Sequence, residues 1–224
     1  MKRLFTIFTL ILASTAMAQN PIEKSIGDFK ELKVYDLIEV ELIKSTTNKV
    51  VITGNDANSV QINNKNGTLK IKMEFSKIFD GNNTKVKLYY TIIDVIDANE
   101  GSRIYSKDEI KQFEIALKAQ EGGVINVNVN VNHIGVKAVT GGIIEVSGTA
   151  KKENILLLTG GAFKGEKLQA ENADVSINAA GEASINVSKV VDIKIRAGGD
   201  VFIYGKPETV NESKVFGGRI KHMD

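Results

Sequence analysis

Seven short turn-forming stretches recur from residue 100 onward in this chain at almost equal spacing. Thr140-Gly141-Gly142 and Thr159-Gly160-Gly161 are the clearest. Looser forms stand at Glu100-Gly101-Ser102, Glu121-Gly122-Gly123, Ala179-Ala180-Gly181, Ala197-Gly198-Gly199 and Phe216-Gly217-Gly218. Their third residues are separated by 21, 19, 19, 20, 18 and 19 positions. Self-similarity at such a period is the mark of a solenoid, in which each repeat buries its apolar face only against its neighbours.

The flanking residues decide which solenoid. Two places after each third residue stand Ile104, Ile125, Ile144, Phe163, Ala183, Val201 and Ile220. Four places before stand Ala98, Ala119, Ala138, Leu157, Ile177, Ile195 and Lys214, and six places before stand Ile96, Leu117, Val136, Ile155, Val175, Ile193 and Glu212. Intervening positions are mixed and largely polar, as at Asn126, Glu145, Lys164 and Ser184. This is period-two alternation on both sides of a sharp corner, so alternate side chains point inward and stack from coil to coil. Each fully buried aliphatic side chain contributes roughly 1.5–3 kcal/mol of transfer free energy. Glycine suits the corners because it takes positive φ, or a crowded position, without a Cβ penalty. The predicted fold is all-β, a parallel β-helix (β-solenoid) with coils of about 19–21 residues. An antiparallel sandwich alternates too, but it has no reason to keep one period. A leucine-rich repeat lacks its leucine-asparagine consensus here. Glu212, Lys214 and His222 interrupt the apolar columns, as a terminal coil should.

The N-terminus reads as a secretory signal peptide over residues 1–18. Lys2 and Arg3 precede an apolar run from Leu4 to Ala13, and Ala16-Met17-Ala18 supplies small residues at the cleavage site. The alternative, a membrane anchor, has too short an apolar run. Residues 19–224 are read as a single solenoid domain, with irregular coils over 19–95 and regular ones over 96–224. A separate small sheet capping the N-terminal end is the alternative for the first part. Cysteine is absent, so no disulfide framework supports the fold. Once Lys2 and Arg3 leave, 27 basic residues face 27 acidic ones. That balance argues against a nucleic-acid partner, which needs a basic stripe. No further stretch is apolar enough to span a bilayer, and localisation is expected beyond the inner membrane: periplasm, outer surface or medium.

The segments "FKELKVYDLIEVELIKS", "NGTLKIKMEF" and "VFIYGKPETVNESKVFGGRIK", with the glycine-paired strands between them, resemble the GIN-type putative auto-transporter adhesin head domain of Bacteroidota. Tyr204-Gly205-Lys206-Pro207 and Gly217-Gly218 are its most specific parts. The resemblance implies an exported, right-handed parallel β-helix with no established catalytic residues. Ala179-Ala180 departs from the usual corner, and no autotransporter barrel is recognisable.

Several constellations invite chemistry. One place after the corners stand Arg103, Val124, Ile143, Ala162, Glu182, Asp200 and Arg219. Glu182 and Asp200 fall on adjacent coils about 4.8 Å apart, where two carboxylates could cleave a polysaccharide. A solvated Asp200–Arg219 ion pair is the simpler reading. Calcium there is short of oxygen ligands. Asn126, Asn128, Asn130 and Asn132 alternate with valines, offering either a platform for sugar hydroxyls or a solubilising face. Tyr105, Phe202 and Tyr204 point outward and could stack on sugars or simply pack. His133 and His222 fit neither a zinc site nor a catalytic triad. The function expected is therefore an exported, non-enzymatic, adhesin-like interaction module. Glycans or surface proteins are the expected partners, no cofactor, metal or catalytic residue is assigned, and the binding residues are left open. The alternatives are a polysaccharide lyase or hydrolase using Glu182, Asp200 and Arg219, and a structural envelope protein of stacked solenoids.

Overall fold

The computed structural model describes residues 21–223, so the proposed signal peptide lies outside the described residues. The first half contains β1 (Ile22–Ser25), β2 (Glu31–Val34), β3 (Glu39–Lys44), β4 (Lys49–Gly54), β5 (Val60–Lys65), β6 (Thr68–Met73) and β7 (Thr84–Tyr90). Then follow β8 (Val95–Ala98), β9 (Arg103–Lys111), β10 (Glu114–Gln120), β11 (Val124–Val139), β12 (Ile143–Leu158), β13 (Gly161–Ile177) and β14 (Gly181–Ala197). β15 (Asp200–Tyr204), β16 (Thr209–Phe216) and β17 (Arg219–His222) close the chain. All belong to one continuous hydrogen-bonded sheet, wound into the expected right-handed parallel β-helix of about seven turns.

Each coil has two faces. On the first run β5, β6, β2, β8, β10, the second halves of β11 to β14, and β16. On the second run β1, β4, β7, β3, β9, the first halves of β11 to β14, then β15 and β17. The predicted ladder is in register: Ile104, Ile125, Ile144, Phe163, Ala183, Val201 and Ile220 are successive partners. The ladder continues upstream through Val40, Val86, Ile52 and Ile22. A matching one on the first face joins Leu69, Leu32, Ile96, Leu117, Val136, Ile155, Val175 and Ile193. These residues belong to one buried cluster, with Ile22 and Ile220 packed partly buried at its ends.

The first coils are stacked out of chain order. β2 and β3 lie between β6–β7 on one side and β8–β9 on the other, all pairing in parallel. β1, β4 and β5 finish that end in antiparallel fashion.

The glycine corners are tighter than the sequence suggests. In four of them the residue before a positive-φ glycine itself has positive φ: Glu100, Glu121, Thr140 and Thr159, between 49° and 53°; at the Ala179-Ala180-Gly181 corner Ala180 has φ 42°. In those four corners the glycine that follows has φ near 70°, as at Gly141 (71°). Gly142 serves differently: a Cβ there would sit 2.1 Å from the Ala119 carbonyl oxygen of the coil below. The second bend of each regular coil has no glycine pair, and β11 to β14 run unbroken through it for 16 or 17 residues.

At the final coil, Glu212, Lys214 and His222 occupy the rows of Ile193, Ile195 and Ile203. Glu212 and Lys214 pair at 3.5 Å, so ionic groups close the apolar column.

Candidate functional site

The outward column singled out by the acidic pair is assembled as expected: Glu182 stands beside Asp200, and Asp200 beside Arg219. Its chemistry is that of an ion pair. Arg219 donates Nε to Asp200 Oδ1 at 2.8 Å and Nη2 to Oδ2 at 2.6 Å. The guanidinium bonds hold the Asp200 carboxyl below its ordinary range. Both oxygens of Asp200 are engaged, and Glu182 is exposed on the adjoining row. Exposed pairs of this kind contribute little to stability, so Arg219→Ala should leave the melting temperature within about 2 °C of the parent. A thermal melt checks this.

The other candidates disperse. Tyr105 is half-buried beside Glu39, Glu41, Lys85 and Lys87, around a hollow of about 210 Å³. Lys221 of the last coil reaches over the half-buried Phe202 ring, 5.9 Å from its centroid. His133 is tilted against Phe113, with ring centroids 5.4 Å apart, and His222 is exposed in the final coil. Among the described residues no cluster of three or more His, Cys, Asp or Glu could hold a metal ion.

The asparagine strand does lead to a concave surface. Asn130 and Asn132 open a groove of about 540 Å³ that follows the second bend across β11 to β14, ending at Gly205 and Lys206. Its floor is the register row Val131, Ala150, Ala170 and Val187. The alanines keep this floor low. Asn130, Thr149, Gln169 and Asn186 form one file, partnered coil to coil. Asn132, Lys151, Glu171 and Ser188 also line the groove. At about 4.8 Å per coil, five rows give a length of about 19 Å.

The groove's walls are anchored. Asn186 Nδ2 donates to the Glu166 carbonyl at 3.0 Å, and Ser188 Oγ to the Ala170 carbonyl at 3.3 Å. Lys189 binds Glu171 at 2.7 Å and pulls its carboxyl below the ordinary range. Lys151 and Lys206 are the groove's other ionic groups. Amides, hydroxyls and ammonium groups on a small apolar floor can hydrogen-bond a polar, extended ligand, while no nucleophile–base pair is present in this lining. The sequence marks Asn130 and Asn132 through their alternation. Thr149, Gln169 and Ser188 carry no local signal and become visible only when the coils are superposed.

The molecule is a parallel β-solenoid that carries a polar groove along one bend and a surface ion pair on an outer column. The chain belongs to the family of the putative auto-transporter adhesin, head GIN domain, which covers residues 28–207. Similar solved structures include a putative adhesin from Bacteroides fragilis, 17% identical with a TM-score of 0.83, covering 91% of this chain and 96% of that one. Putative adhesins from Parabacteroides merdae (15% identical, TM-score 0.71, 92% and 96% covered) and Parabacteroides distasonis (16%, 0.68, 91% and 96%) are also similar. At these identities the likeness is one of fold. No curated protein matches the chain. No helix of the described residues is long and apolar enough to cross a membrane.

Proposed function

We propose that this is an exported adhesion module that holds a polysaccharide chain along the groove of the second bend, without cleaving it. The observation that carries this reading is the file Asn130, Thr149, Gln169, Asn186, which repeats hydrogen-bonding groups at the coil spacing along a concave surface. A polymer of sugars offers hydroxyls along its length, and a periodic wall meets a periodic ligand with many modest bonds. The family's adhesin description agrees with this role. The closed Asp200–Arg219 pair favours binding over hydrolysis, and the ionic final coil favours a free solenoid over a stacked structural fibre.

A glycan array followed by titration of the retained polysaccharide tests it. Gln169→Ala should weaken binding about fivefold, the effect of losing one hydrogen bond. Thr149→Trp, which fills the groove from an exposed position, should abolish it. An array that stays blank, or a Thr149→Trp protein that binds like the parent, rules the reading out.

A further inference from the structure

At the β5–β6 end of the first face, the loop after β6 carries three large apolar side chains into solvent: Phe75 is 91% exposed, Phe79 57% and Ile78 42%. The loop is held from beneath. The buried Asp36 carboxylate accepts the Met73 N–H at 2.9 Å and the Phe79 N–H at 3.4 Å. The Glu74 N–H donates to the Ser59 carbonyl at 2.8 Å. The apolar tip therefore projects from a fixed base, and a chain in water gains nothing from that exposure.

Lysines adjoin it. Phe75 and Ile78 share a hollow of about 350 Å³ with Lys70 and Lys72. From Lys70 a register column runs along the same face through Lys33, Asp97, Lys118 and Lys137. Asp97 is the carboxylate inside this column and Glu31 stands two positions before Lys33 on β2; both are engaged by Lys33, at 3.2 and 3.1 Å. Lys70, Lys72, Lys118 and Lys137 make no ion pair among the described residues. Lys118 lies in register between Asp97 and Lys137, so one carboxylate, already engaged by Lys33, faces two further lysines there. Asp36 and Glu100 lie at the hollow, where burial and Asp36 push the Glu100 carboxyl up, toward its neutral form. The near-neutral total charge hides this column because its lysines come from coils far apart in sequence.

We infer that this end of the first face docks on an anionic lipid surface, with Phe75, Ile78 and Phe79 entering the headgroup boundary and the lysine column meeting lipid phosphates. Apolar side chains beside unpaired lysines are what interfacial binding requires. A soluble polyanion would use the lysines and leave the phenylalanines in water. A protein partner fits less well, since lysine is depleted from protein interfaces. The groove at the second bend lies outside this surface, so the inference stands whatever the groove binds.

Cosedimentation of the full chain, recovered after export, with vesicles of phosphatidylcholine alone or mixed equally with phosphatidylglycerol tests the inference. Binding should require phosphatidylglycerol and fall with salt. Lys118→Gln with Lys137→Gln should lower partitioning about thirty-fold, and Phe75→Ser with Phe79→Ser should abolish it. Both pairs are on the surface, so unchanged thermal melts identify them as folded. No binding to either vesicle, equal binding to both, or a serine variant that still binds like the parent overturns the inference.

Discussion

Glu153→Leu is expected to stabilise the protein by about 1–3 kcal/mol at neutral pH, the penalty of burying a polar group without a partner. Glu153 is fully buried, and neither carboxylate oxygen has a hydrogen-bond partner. It fills an inward position of β12, between Ile134 on one coil and Ala173 on the next. Burial pushes its carboxyl well above the ordinary 4.5. The folded state therefore holds a proton that the unfolded chain releases as pH rises past that value. Folded stability is highest below the unfolded value and declines as pH climbs toward the folded one. Denaturant melts between about pH 4 and about pH 8 should show this decline in the parent and lose that part of it in Glu153→Leu. Glu153→Gln should remove the titration without the full gain. Parallel curves for parent and leucine variant would refute the assignment.

Gly142→Ala is expected to cost about 3 kcal/mol, the upper part of the usual overpacking range. The added methyl meets backbone atoms of the Ala119 peptide, with the carbonyl carbon at 2.4 Å as well as the oxygen. Backbone in a stacked coil cannot step aside without disturbing its ladder bonds. For a chain of this size that is a fall of roughly 6–12 °C in melting temperature. Gly141→Asn is the matched control. Its φ of 71° is one asparagine tolerates, and no atom lies within 4 Å of its would-be Cβ. A thermal melt in which the two variants fall equally would refute the distinction between a conformational and a packing glycine.

The regular coils were legible because their signal is local: each inward residue recurs after about nineteen positions, and the corners punctuate it. The N-terminal order was not, since Leu32 pairs with Leu69 and Ile96, and Val40 with Val86 and Ile104. Alternation identifies these as strands, but nothing in a short window says which strand lies beside which. Glu153 hides in Lys151-Lys152-Glu153-Asn154, which reads as an ordinary charged bend; only counting nineteen positions on from Ile134 places it inside. Asn130 and Asn132 were visible as a polar face, but the hollow depends on Ala150 and Ala170, small residues with many other uses. The charged final coil was legible because it breaks columns already established.

The interleaving of β2 and β3 makes the two ends of this molecule unequal under evolution and under the knife. A winding lost from the C-terminal end exposes one fresh surface, and duplications or deletions of whole windings can accumulate there. Excising the first strands instead would pull a layer from between two others that arrive later in synthesis. Length variation among descendants of this chain should therefore collect beyond β9, while the stretch before it is inherited whole.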